Sequence, residues 1–183
     1  MTSDALQTKL LNDEKMLWTG RPQQGFLLSR RDWLLVPFSL VWIGFIVFWE
    51  TFAISMPHAP VFFKFFGGGF LLIGLYFVIG RFFVDAWLRA RIRYAVTNKR
   101  ILIERAPPMG KLVAIQLDRL PTTSLAEAGA GRGTILFGEA APFWRANRLS
   151  IWTPTLDPTP QFIAIEDATT VFAQIQNLTA HRS

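Results

Sequence analysis

The chain contains no cysteine and only two histidines. Without thiols there is no disulfide, no thiol nucleophile and no cysteine-ligated metal. The histidines are His58, between two apolar segments, and His181, close to the C-terminal residue Ser183. The expected topology puts a membrane between them, so no zinc centre or histidine triad is expected to use both. Charge is also scarce: Asp, Glu, Lys and Arg make up 17% of the chain and are absent from Trp33–Trp49 and from Phe65–Gly80. No two of Gly67, Gly68, Gly69, Gly74 and Gly80 are four apart, so the GxxxG dimer motif is missing. The first thirty residues carry Asp4, Asp13 and Glu14 and no apolar leader core, so the first apolar segment is expected to stay as an anchor.

What is present, first, is length. A spanning helix needs about 20 mainly apolar residues at about 1.5 Å rise each. Residues 33–54 and 61–83 both meet that requirement. Twelve Leu, Ile, Val or Phe residues lie between Leu34 and Phe52, and twelve between Phe65 and Phe83. At about 0.3–0.6 kcal/mol each, either set favours insertion by several kcal/mol. Glu50 and Lys64 oppose insertion, but both sit near the connecting turn, where long side chains reach the interface. A soluble chain of 183 residues seldom surrounds two helices that are apolar on every face. The reading is an antiparallel transmembrane hairpin with a short turn at 55–60.

Lys and Arg in the flanks set its direction. Arg21, Arg30 and Arg31 precede the first span, and Arg81, Arg89, Arg91, Arg93, Lys99 and Arg100 follow the second. Lys64 is the only lysine or arginine between the two uncharged stretches. Residues 1–32 and 90–183 are therefore expected in the cytoplasm and the turn outside. Trp33, Trp49 and Trp87 suit interfacial anchors. Pro37 is placed to kink the first helix, the glycines permit close helix approach, and Glu50 and Lys64 are positioned to pair across the hairpin.

From Ala90 the pattern changes to short alternating runs. Strands are expected at 91–97, 100–105, 111–117, 122–128, 134–137, 148–152 and 161–165. Asn98-Lys99 reads as a two-residue turn because Asn tolerates positive φ. Asp167 is placed to cap a helix whose Ala168, Val171, Phe172, Ile175 and Leu178 form one apolar stripe. The stripe is expected to cover the preceding sheet. The fold class is α+β: two transmembrane helices, then a β-rich domain with a C-terminal helix.

At this point the residues resemble a family. Arg93-Tyr94-Ala95-Val96-Thr97-Asn98-Lys99-Arg100-Ile101-Leu102-Ile103 is similar to the opening hairpin of bacterial pleckstrin-homology-like domains. Ile115-Gln116-Leu117 with Leu120-Pro121, Gly131-Arg132-Gly133-Thr134-Ile135-Leu136-Phe137-Gly138 and Phe162-Ile163-Ala164-Ile165-Glu166-Asp167 resemble its later strands. Glu14-Lys15-Met16-Leu17-Trp18-Thr19-Gly20-Arg21-Pro22 looks like the N-terminal motif of members with a membrane hairpin. The resemblance implies a seven-strand, half-open barrel capped by a C-terminal helix, and binding roles rather than one activity.

Chemistry is sparse. The carboxylates Glu104, Asp118, Glu127, Glu139, Asp157, Glu166 and Asp167 are scattered apart from the last two. Gly129, Gly131 and Gly133 do not match a dinucleotide or phosphate loop: the sixth position from Gly129 is Thr134, a strand comes next, and no Walker lysine is present. No enzyme and no cofactor are expected. Net charge is +6, and juxtamembrane cations attract anionic headgroups at about 1 kcal/mol each. Arg91, Arg93, Lys99, Arg100, Arg105, Lys111, Arg132, Arg145 and Arg148 are the candidate lipid or partner surface. Related phosphoinositide-binding domains use a roomy loop between their first two strands; here that loop is only Asn98-Lys99. No nucleic-acid motif appears. The expectation is a multi-pass protein of the bacterial inner membrane, both termini cytoplasmic. It would act as a binding scaffold for an unknown protein or for copies of itself. The alternatives are an anionic-lipid sensor or an accessory subunit of a membrane enzyme or transporter.

Overall fold

Unbroken apolarity builds two long helices. The computed structural model describes residues 4–28, 32–57, 60–129, 131–139 and 153–180. A short helix α1 (Asp4–Gln7) and a strand β1 (Met16–Gly20) come first. Helix α2 (Asp32–Ser55) runs unbroken through Pro37. Helix α3 (Val61–Leu75) passes through a wide turn, Tyr76–Gly80, into α4 (Arg81–Arg89). Only 11% of the most apolar stretch of α2 is buried, and 17% of that in the α3–α4 helix. A core helix would be covered; these two are long and apolar enough to cross a membrane and expose apolar side chains along their length.

Where the two helices touch, glycine sets the approach. Gly67 lies under the Glu50 side chain, and a Cβ at Gly74 would rest 3.4 Å from Ile43 Cγ1. These glycines are seven apart, two helical turns, and face α2 together. The side chain of Lys64 is outside the described residues, so the expected partner of Glu50 is too. In the wide turn the Arg81 amide donates to the Tyr76 carbonyl, five residues back. The extra residue rotates the helix beyond it by about 100°. Arg81 thereby meets Asp32 at 2.7 Å, with 2% and 7% of the side chains exposed. The second helix also continues six residues past the expected end at 83. The onset of charge marks where apolarity stops, but backbone hydrogen bonding needs no apolarity, and Asp85 and Arg89 pair at i,i+4.

The domain is two antiparallel sheets, ordered β1-β2-β3-β4 and β5-β6-β7. The strands are β2 (Ile92–Thr97), β3 (Arg100–Arg105), β4 (Lys111–Gln116), β5 (Thr123–Gly129), β6 (Arg132–Phe137) and β7 (Gln161–Ile165). Among the described residues the sheets do not close into a barrel. The expected strand at 148–152 lies outside the described residues. The seventh described strand is instead β1, which pairs with β2 from the other side of the two long helices.

Alternation decides the faces. Ile92, Tyr94 and Val96 of β2 join Ile101 and Ile103 of β3 in the core. Phe162 is its hub, with ring centroids 4.5 Å from Tyr94, 5.0 Å from Phe137 and 5.5 Å from Trp18. Helix α5 (Ala168–Ala180) lays Ala168, Val171 and Ile175 into this core, with Phe172 and Leu178 packed beside them, as the apolar stripe predicts. Its first turn passes so close to β6 that a Cβ at Gly133 would sit 2.9 Å from the Ala168 Cβ.

Two local expectations are corrected. Neither Asn98 nor Lys99 has positive φ; the turn is held by Thr97 Oγ1, which accepts from the amides of Lys99 at 3.1 Å and Arg100 at 2.9 Å. Asp167 does not cap α5 through its carboxylate, which makes no hydrogen bond among the described residues. It holds φ 51°, and the Ala168 amide donates instead to the Gly131 carbonyl at 3.2 Å.

Candidate functional site

Three polar assemblies bind the chain's N-terminal segment to the rest, and all are built on residues far apart in sequence. The first lies on the β2–β3 turn. Leu6 of α1 packs on Ala95 and Leu102, the outer face of the sheet, with Leu10 and Met16 beside it. The chain reverses at Asp13, φ 64°. Glu14 then turns inward, 7% exposed. Its carboxylate accepts from Arg100 Nε and Nη2 at 3.0 Å each, from Thr97 Oγ1 at 2.7 Å and from the Leu11 amide at 2.7 Å. Burial alone would raise the carboxyl pKa; the bonds from Arg100, Leu11 and Thr97 together outweigh it and hold the group below its ordinary value. Lys99 Nζ reaches the Asn12 carbonyl at 2.9 Å, and Lys9 pairs with Glu104.

The second assembly joins the helices to the domain. Arg89, 1% exposed, donates from Nε to Asp85 at 2.7 Å, from Nη2 to the Gly25 carbonyl at 2.6 Å and from Nη1 to the Gln23 carbonyl. The other Asp85 oxygen accepts from Thr155 Oγ1 at 2.6 Å and from its amide at 3.2 Å. A buried guanidinium and a buried carboxylate are thus matched with neutral donors and acceptors, as burial of charge requires. The last turn of α4, the 22–25 segment and the Pro154–Leu156 turn are locked together.

The third is a groove of about 620 Å³ along the seam between β1 and β7. Trp18–Gln24 form one wall, and Ala164–Asp167 with Arg132 form the other. At its floor Ala164 has φ 44°, and its carbonyl accepts from the Gln23 amide at 3.1 Å. Its own amide donates to Thr134 Oγ1 at 3.1 Å. In the core below, burial pushes the Tyr94 phenol pKa far above its ordinary value, and the hydroxyl accepts from the Ile163 amide at 3.1 Å.

The basic residues nominated from sequence fall into separate places. Arg91 lies over the Trp87 ring at 3.7 Å. Arg93 is half-buried opposite Glu104. Arg105 stands directly across from Lys111, and its Nη2 donates to the Asp157 carbonyl at 3.4 Å. Lys99 and Arg100 are at the other end of the same hairpin, engaged with the N-terminal segment. Arg132 is on the second sheet, 3.4 Å from Glu166. Arg145 and Arg148 lie outside the described residues. Sequence reasoning missed the roles of Glu14, Asp85 and Arg89. The i,i+4 spacing of Asp85 and Arg89 was their one sequence signal. Among the described residues no three His, Cys, Asp or Glu side chains cluster as a metal site.

No protein-family model, curated protein or solved structure matches this chain.

Proposed function

We propose that this chain is a membrane-anchored, non-enzymatic binding module. In this reading α2 and the α3–α4 helix cross a bacterial cytoplasmic membrane as a hairpin with both termini inside. The two-sheet domain is pleckstrin-homology-like and presents a surface to a protein partner or to a second copy of the chain. The observation that carries the reading is the Asp85–Arg89–Thr155 joint with Gln23 and Gly25. A simple anchor works through a flexible tether. A fully bonded buried joint holds a domain at one angle to its helices, and a fixed angle matters when a surface must be displayed at a set height and orientation.

The test is a photo-crosslinking residue at Leu112, exposed on β4, in native membranes. A discrete adduct to one protein, or to the chain itself, is expected. No protein adduct from probes across the domain, with a solubilised chain that sediments as a monomer, overturns the reading. Adducts confined to lipid would favour the anionic-lipid sensor, and adducts to a transporter or enzyme the accessory subunit. Topology has its own check: in intact cells an impermeant thiol reagent should label the single-cysteine variant His58→Cys and neither of the single-cysteine variants Thr2→Cys and Ser183→Cys.

A further inference from the structure

The seam groove is a dipolar site. Its walls carry two guanidiniums, Arg21 and Arg132, and two carboxylates, Glu166 and Asp167. Arg21 makes no hydrogen bond or ion pair among the described residues. Arg132 and Glu166 meet only at 3.4 Å, with 41% and 81% of the side chains exposed. That is longer than the roughly 2.7–2.9 Å of a firm charge-assisted bond. Both signs of charge therefore keep free donors and acceptors. A purely anionic ligand would face Glu166 and Asp167, and a purely cationic one would face Arg21 and Arg132. A ligand carrying both charges a few ångströms apart satisfies both walls. The volume, about 620 Å³, lies in the range of small-molecule sites.

The groove is also braced. Ala164 is 2% exposed and keeps a left-handed conformation that an alanine rarely adopts. That conformation goes with the Gln23 and Thr134 bonds, which fix the floor. The Gln23 carbonyl is in turn bonded to Arg89 at the end of α4. Gln24 is held by its own bond from Nε2 to the Pro22 carbonyl at 2.8 Å. The wall that meets the ligand is thus wired to the helix that leaves the apolar hairpin.

We infer that this groove binds a phosphate ester bearing a primary ammonium, with Arg21 and Arg132 on the phosphate and Glu166 and Asp167 on the ammonium. The choice of a phosphate over another anion rests on the proposed membrane reading, since zwitterionic phospholipid headgroups have this chemistry; a soluble phosphoamine shares it.

The experiment is hydrogen exchange on the full chain, following the amides of 20–24 and 164–167. One arm uses nanodiscs of phosphatidylglycerol alone against nanodiscs of equal phosphatidylethanolamine and phosphatidylglycerol. The other uses neutral detergent with added O-phosphoethanolamine, inorganic phosphate or phosphocholine. Protection is expected with the primary amine present. Arg21→Ala and Arg132→Ala should each weaken binding about tenfold, the loss of one charge-assisted contact, whereas Arg119→Ala leaves it unchanged. Protection in nanodiscs only assigns the ligand to lipid, and protection by O-phosphoethanolamine only assigns it to a soluble molecule; either supports the site. No protection in both arms, or equal protection by inorganic phosphate, overturns it. A bare groove in a chain that still crosslinks to a partner sinks this inference alone. A bound headgroup analogue in a chain with no partner sinks the scaffold alone.

Discussion

Replacing Arg89 with methionine gives the sharpest test of the joint. The side chain is 1% exposed and makes three hydrogen bonds, one to the Asp85 carboxylate and two to main-chain carbonyls. Methionine fills much of the same space and makes none of them. Asp85 keeps two donors from Thr155, but its charge is left buried without a counter-ion. Breaking one side of such a pair costs about 3–5 kcal/mol. That is a large fraction of the roughly 5–15 kcal/mol that holds a domain folded. Most of the cost comes from the stranded charge, so Asp85→Asn in the same chain should return about 1–3 kcal/mol of it. The assay is pulse proteolysis of the detergent-solubilised chain across a urea series, with Arg119→Met, an exposed arginine, as the control. The reasoning fails if Arg89→Met shifts the midpoint no more than the control, or if the losses from Arg89→Met and Asp85→Asn simply add.

Three further outcomes rest on particular contacts. A Cβ at Gly74 would lie 3.6 Å from the Ile43 Cβ, within the disulfide range of about 3.5–4.5 Å. Ile43→Cys with Gly74→Cys should therefore oxidise to an intramolecular bridge in a chain that has no other thiol, and failure to shift on a non-reducing gel would refute the hairpin packing. Glu14 has its folded pKa held below the unfolded value of 4.5. The unfolded state then binds more protons in that window, so the contribution is complete above the unfolded value and disappears as pH falls through the folded one. Wild type should lose more stability than Glu14→Gln between about pH 5 and pH 3, and parallel losses would count against the ion pair with Arg100. Gly133→Ala pushes a methyl to 2.9 Å from Ala168 and 3.1 Å from the Ala126 carbonyl. Overpacking of this kind costs about 1–3 kcal/mol, read as a lowered urea midpoint and faster exchange along α5.

Local patterns in the chain carried the two long helices, the second of them six residues short, five of the described strands to within one residue at each end, a sixth that starts two residues early, and the stripe of α5, but not the short α1. Strand β1 was not legible as a strand. Met16–Gly20 is a five-residue edge whose half-buried alternation is weak, and its partner β2 lies beyond both long helices. Glu14 looks like any solvated acid in sequence, because only folding brings Arg100 and Thr97 around it. Arg89 counted toward orientation as one of a run of cations; the carbonyls of Gln23 and Gly25 that enclose it carry no side-chain signal at all. Asn98 marked its turn correctly, yet the neighbour Thr97 does the holding. Motif reading finds residues, and misses partners that arrive from the far side of the chain.

Because β1 precedes α2 and β2 comes after α4, the four-stranded sheet is interrupted by the very helices that would moor it. The paired helices are therefore an insertion within the domain rather than a leash in front of it. During synthesis the first strand must wait, edge bare, until both helices have been made and the second strand emerges. A fragment starting at residue 90 would lack that strand, half of the seam and the lid over Ala95 and Leu102. Soluble pieces of this chain are for that reason poor surrogates for the whole.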